Sequence, residues 1–237
     1  PMAGACEPSV PVLLGSRGPA ATLPRAEGRA WQVCVMGLHR SGTHALREYI
    51  HRFFDVPEPE PRPRKKTGRM DAGTLELAGG FEIWKHTVPL TCFGAPATSA
   101  DGALAVILLT VRDPASWLSA LSNHAYEIFP KSGGRRREGC LRWMFEEVTI
   151  ATSGGLFADP FANVVFPSVP ALWASYVRGY LTGTMAAANG PTYMVVRFED
   201  IVQRPGAVVD ALTELGLPRN DRPFTPIEES VSGAHTR

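Results

Sequence analysis

The segment that most restricts the fold is Trp31-Gln-Val-Cys-Val-Met-Gly37-Leu-His39-Arg40-Ser41-Gly42-Thr43-His44. An apolar run ends on glycine, and a short turn bounded by two glycines follows. Helical periodicity begins near Gly42, with Ala45, Leu46, Tyr49, Ile50 and Phe53 on one face. Residues 31–37 therefore read as a buried strand that passes directly into a helix.

The alternation continues along the chain. Further strands are expected over residues 81–85, 104–111 and 192–197. Helices are expected over 114–129, 138–149, 171–188 and 205–215, the last with Pro205 in its first turn and Gly216 just past its end. Residues 56–69 hold four prolines and five basic residues and read as an exposed loop. Residues 131–137 form a second basic loop, and 154–170 are irregular. Residues 1–30, rich in Pro, Gly and Ala without periodicity, read as a flexible lead-in. Residues 31–237 read as a single domain: a three-layer, P-loop-type parallel sheet with helices on both faces. In such sheets ligands sit at the carboxyl ends of the strands.

Bulk properties narrow the function. The chain of 237 residues suits one α/β domain with extensions. Its net charge of +1 (24 − 23) sets up no global field for nucleic acid or a membrane surface, so neither is an expected partner. The longest apolar stretch, residues 103–111, falls far short of the roughly 20 needed to span a bilayer. The N-terminus lacks the order of a secretion signal. The four cysteines match no zinc or redox spacing, and Cys34 reads as a buried thiol. These features predict a reducing, cytoplasmic setting.

A glycine turn between a buried strand and a helix is suited to wrapping phosphate. Backbone N–H groups converge there, and the positive end of the helix dipole adds to them. The spacing Gly37-x4-Gly42 matches the nucleoside-triphosphatase loop, but the Lys-Ser/Thr pair that should follow is Thr43-His44. The terminal lysine and the magnesium-binding hydroxyl are replaced, and a cation, Arg40, lies inside the loop. That set favours a metal-independent ligand with a 5′-phosphate and a neighbouring transferable group.

This loop resembles the 5′-phosphosulfate motif of the P-loop sulfotransferases, roughly Gly-x-x-Arg/Lys-Ser/Gly-Gly-Thr. The resemblance implies that His39, Arg40, Ser41, Gly42, Thr43 and His44 bind 3′-phosphoadenosine 5′-phosphosulfate, with adenosine 3′,5′-bisphosphate as product and no metal required. The strand ending Thr110-Val-Arg112-Asp113-Pro114 resembles the second family signature, in which a strand-end arginine and a serine on the next helix hold the 3′-phosphate. The family places that serine eight residues on, where this chain has Ala120. Ser119 is adjacent and is the expected equivalent, in a stripe with Ser116 and Ser122. The segment Arg197-Phe-Glu199-Asp200-Ile201 resembles the family's Arg-Tyr-Glu-Asp-Leu, which implies a nucleotide contact for Arg197.

The resemblance also points to the chemistry. Cytosolic members often carry Lys-x-His-x-Pro. Here Trp84-Lys85-His86-Thr87-Val88-Pro89 keeps the lysine but puts Thr87 at the histidine position and His86 one place early. Lys85 is expected to meet the sulfonate. Glu48 follows Thr43 by five positions, the offset of the catalytic glutamate in heparan-type glycan sulfotransferases. Glu48 and His86 are therefore the leading base candidates, with His44 and His124 behind them, since an acceptor hydroxyl must lose a proton as the sulfur–oxygen bond forms. Glu48 is also placed to pair with Arg52 four residues on. Arg40 and Lys85 would stabilise charge on the leaving phosphate oxygen. The tryptophan that stacks on adenine in cytosolic members is Ala45 here, and residues 232–237 match poorly with the family's closing basic segment. The acceptor is a small molecule or glycan of unspecified identity. Two other classes fit the loop: a phosphotransferase or kinase with a degenerate Walker A sequence, and a nucleotide-binding protein without catalysis.

Overall fold

The computed structural model describes residues 14–15, 31–56, 75–77, 81–83, 86, 104–123, 125, 128–131, 142–150, 165–186 and 192–227. In chain order the elements begin β1 (Leu14–Gly15), β2 (Trp31–Gly37), α1 (Thr43–Phe53), β3 (Leu75–Leu77), β4 (Phe81–Ile83), β5 (Leu104–Val111) and α2 (Pro114–Asn123). They continue with β6 (Ile128–Pro130), a 3-10 turn (Arg142–Phe145), β7 (Val148–Ile150) and β8 (Val165–Phe166). The last are α3 (Val169–Ala186), β9 (Thr192–Arg197), α4 (Phe198–Gln203) and α5 (Pro205–Glu214).

The chain is mixed α/β. Its main sheet has the order β1-β9-β5-β2, with β2, β5 and β9 mutually parallel and β1 antiparallel at the edge. The 1–30 segment therefore contributes a two-residue strand, Leu14–Gly15, against β9. Alternate strand residues point to opposite faces, and this sorts the apolar side chains into two cores. Val106, Leu108, Met194 and Val196 pack with Leu46, Tyr49, Ile50 and Phe53 of α1 and with Val208, Val209 and Leu212 of α5. Cys34, Met36, Ile107, Leu109 and Val195 pack with Trp117 and Leu121 of α2 and Leu172, Tyr176 and Tyr180 of α3.

Three sequence expectations are corrected. Of the segment expected as a strand over 81–85, the described part, β4, pairs antiparallel with β3 in a separate two-stranded sheet. The helix expected over 114–129 stops at Asn123, and Ile128-Phe129-Pro130 forms β6. Proline removes a helical N–H donor, and the buried-exposed-buried alternation of the three residues has the strand period. The expected helix over 138–149 holds the 3-10 turn and then β7, which lies between β6 and β8. Its Val-Thr-Ile sequence is wholly β-branched, which suits a pleated surface better than a helix. Helix α3 starts two residues earlier than expected, because Ser168 Oγ accepts the Ala171 N–H and caps it. No helix of the described residues is long and apolar enough to cross a membrane.

Candidate functional site

The carboxyl ends of β2 and β5 bring the turn from Gly37 to Gly42 and Arg112 together. In the strand register Gly37 lies opposite Thr110. A Cβ on Gly37 would come within 2.5 Å of the Thr110 carbonyl and 2.7 Å of Ser41 Oγ, so only glycine fits. Beyond it the chain turns through two left-handed residues, Arg40 (φ 62°) and Gly42 (φ 87°). Glycine adopts that conformation without penalty; Arg40 does so at a cost, which the surrounding contacts must offset. Gly42 also lies too close to Phe198 to carry a side chain, since a Cβ would sit 2.6 Å from the ring.

Thr43 opens α1 and is buried, while His44 is exposed. No side chain caps this helix, and its first turn holds no acidic residue. The N-terminal N–H groups and the dipole thus face the loop without a built-in anion, as an anion-binding helix end requires.

Contacts from distant elements hold the turn. The Trp117 indole N–H donates to the His39 carbonyl at 2.6 Å. Ser41 Oγ lies 2.6 Å from the Leu38 carbonyl and 2.6 Å from Thr110 Oγ1. His86 Nδ1 sits 2.7 Å from the Gly37 carbonyl. Since a carbonyl only accepts, Nδ1 carries the proton, and Nε2 is the basic nitrogen of the neutral ring. The His86 ring stacks on His39 with centroids 4.0 Å apart, and both are buried.

Arg112 closes the other side. Its Nε donates to Ser116 Oγ at 2.9 Å and its NH1 donates to the Arg40 carbonyl at 3.1 Å. The guanidinium lies over the Phe198 ring, 4.2 Å from its centroid, and the Trp173 indole N–H donates to the Arg112 carbonyl at 3.0 Å. Burial lowers the Arg112 pKa from its ordinary value; Glu199 opposes this, Arg40 adds to it and Asp113 opposes it. The group stays cationic at physiological pH. Two of its five N–H donors serve protein acceptors, which leaves N–H donors to meet two oxygens of an anion.

Glu199, at the start of α4, accepts the Asp113 N–H at 3.0 Å and lies 3.4 Å from Ser116 Oγ. The serine beside Arg112 is therefore Ser116; Ser119 is exposed on α2, and its carbonyl accepts the Ser122 hydroxyl. Arg197 is exposed at the end of β9, with Nε 4.0 Å from Glu199 and 3.8 Å from Asp200. Asp200 is buried and also pairs with Arg204. Glu48 lies on α1 and accepts from Arg52 Nε at 2.7 Å, both side chains partly exposed. Lys85, His124 and the basic loop at 62–69 lie outside the described residues, as does most of the 131–137 loop.

Sequence reasoning missed Thr110, Ser116, Trp117, Trp173 and Phe198 as parts of this cluster. Thr110 left a signal as a lone hydroxyl near the end of an otherwise apolar strand, and Ser116 left one as part of the serine stripe on the next helix. Comparison of the chain with family models, with curated proteins and with solved structures returns no match. The functional reading therefore rests on the geometry and on the motif resemblance.

Proposed function

We propose that this chain binds 3′-phosphoadenosine 5′-phosphosulfate and transfers its sulfuryl group to a hydroxyl or amine of a small-molecule or glycan acceptor. The observation that carries the reading is the Arg112–Arg40 contact. It sets a permanent cation from one parallel strand end against a glycine turn on the next. A ligand with phosphate at both the 5′ and 3′ positions matches two anion-binding elements side by side. We read the architecture as the three-layer P-loop type, and the buried thiol of Cys34 accords with a reducing, cytoplasmic setting.

The donor supplies the sulfuryl group and a phosphate leaving group. Loop N–H groups and the N-terminus of α1 would hold the 5′-phosphate and stabilise the charge that grows on its bridging oxygen. Arg40 lies in the same loop and adds a cation. Arg112, with Ser116 fixing its Nε, would hold the 3′-phosphate. In the displacement the acceptor oxygen forms a bond to sulfur as the bond between sulfur and the 5′-phosphate oxygen breaks. The acceptor proton passes to a base, for which Glu48 and His86 are the two candidates. His86 Nε2 has the acceptor role fixed by the Gly37 carbonyl at the opposite nitrogen.

Calorimetric titration tests the reading. Adenosine 3′,5′-bisphosphate should bind without magnesium, and much more tightly than ATP. Binding of magnesium–ATP alone would favour the phosphotransferase reading, and binding of neither would sink both. Tight bisphosphate binding without turnover on any sulfuryl acceptor would leave a nucleotide-binding protein.

A further inference from the structure

Ser41 and Thr110 form a hydroxyl pair whose proton count assigns them a role. Both are fully buried. Ser41 Oγ is 2.6 Å from the Leu38 carbonyl, Thr110 Oγ1 is 3.2 Å from the Met36 carbonyl, and the two hydroxyl oxygens are 2.6 Å apart. Three short contacts share two protons. The carbonyls only accept, so serving both would leave two oxygens facing each other with no proton between them. The Met36 contact is the longest, so the favoured chain runs from the Thr110 hydroxyl to Ser41 Oγ and from the Ser41 hydroxyl to the Leu38 carbonyl. The proton of Ser41 is then spent inside the turn. A phosphate oxygen accepts and cannot donate, so Ser41 has nothing to offer it.

We propose that Ser41 and Thr110 act together as a positioning brace for the loop, and that Ser41 is not itself a phosphate ligand. Thr110 is the strand partner of Gly37 and lies where a Gly37 side chain would go, so the brace ties the end of β5 to the turn at its narrowest point. The Ser41 N–H also donates to the Leu38 carbonyl, at 3.1 Å. That carbonyl receives both donors of one residue, which fixes the turn while leaving the N–H groups of α1 to the ligand. The hydroxyl left to meet a phosphate is that of Thr43. The inference rests on the reading that the loop holds a 5′-phosphate.

A double-mutant cycle on the full chain tests it, with adenosine 3′,5′-bisphosphate and adenosine 3′-phosphate as probes. Ser41→Ala and Thr110→Val should each weaken the bisphosphate about tenfold, the scale of one net hydrogen bond. The double variant should also lose about tenfold, because either change breaks the same brace. Thr110→Ser should restore most of the affinity, and adenosine 3′-phosphate should bind all forms alike. Additive losses, or wild-type affinity in Thr110→Val, overturn the proposal. If Thr110→Val does not fold, amide hydrogen exchange in ligand-free Ser41→Ala decides. A brace predicts faster exchange across the loop. Unchanged exchange with lost affinity would make Ser41 a direct ligand and overturn the brace. Failure of the wild type to bind either probe removes the nucleotide reading itself, an outcome distinct from a failed cycle.

Discussion

The Gly37–Gly42 turn and the Glu48 face of α1 are only a few residues apart, yet they are held in opposite ways. The loop takes hydrogen bonds from His86, Thr110, Arg112 and Trp117, residues 49 to 78 positions away in the chain. These partners come from β5, the link that follows it, α2 and the segment after β4. Glu48 pairs locally, with Arg52 one helical turn on, and the two side chains are 36% and 41% exposed. Long-range bonds to buried carbonyls fix a shape, because leaving such groups unsatisfied costs free energy. A surface pair four residues apart fixes little, since water competes for both ions. The loop is therefore fixed in shape by the fold, while the Glu48–Arg52 pair is held only by its own helix.

The largest effect is expected from Gly37→Ala. Its new methyl would meet the Thr110 carbonyl and the Ser41 hydroxyl, and overpacking of this kind costs about 1–3 kcal/mol. Bisphosphate binding should be lost by calorimetry and Tm should fall. Wild-type binding would show that the loop floats, and would erase the contrast.

Next comes Arg112→Ala. Loss of a bidentate cation should weaken adenosine 3′,5′-bisphosphate by about 100-fold. Adenosine 5′-phosphate should weaken less, though measurably, because Arg112 also holds the Arg40 carbonyl. Lysine should restore little, having a point charge in place of a fork. Equal loss of both ligands would count against a 3′-phosphate role.

Trp117→Phe keeps the ring in the core but removes the donor to the buried His39 carbonyl. It should destabilise the protein by about 1–2 kcal/mol in chemical denaturation.

The smallest change in stability belongs to Glu48→Gln, within about 0.5 kcal/mol, because its ion pair is solvated. Its effect on transfer is the informative part. If Glu48 is the base, sulfuryl transfer should fall by about 100-fold or more at unchanged bisphosphate affinity. A near wild-type rate removes Glu48 and leaves His86, for which His86→Gln is the matching variant.

Much of the fold was legible because its signals are local. The apolar runs of β2, β5 and β9 and the helical face of α1 emerge within windows of about ten residues. The errors fell where local signals compete. Ile128-Phe129-Pro130 continued an apolar pattern that also suits a helix, and only pairing with β7 settled it. The pairing of β4 with β3 likewise depended on a neighbour, not on the segment itself. The position of Arg112 at the end of a strand was legible from Arg-Asp-Pro, but its contact with Ser116 was not. Counting along the chain led to Ser119, whereas the guanidinium reaches Ser116 on the first turn of α2. The path from Arg112 to that contact crosses from strand end to helix, where neither the strand period nor the helical period alone gives the neighbour.

The sequence by itself determined that a glycine turn joins a buried strand to a helix, with a cation inside the turn and an arginine closing a second strand. Those are properties of residue type and short spacing, carried by backbone sterics and periodic burial. Only the tertiary structure decided which groups meet that turn: Thr110 beneath Gly37, His86 on its carbonyl, Trp117 on His39 and Arg112 on Arg40. The physical reason is distance along the chain. Hydrogen bonds act over about 3 Å in space, and partners tens of residues apart are brought to that range only by the parallel pairing of the strands that carry them.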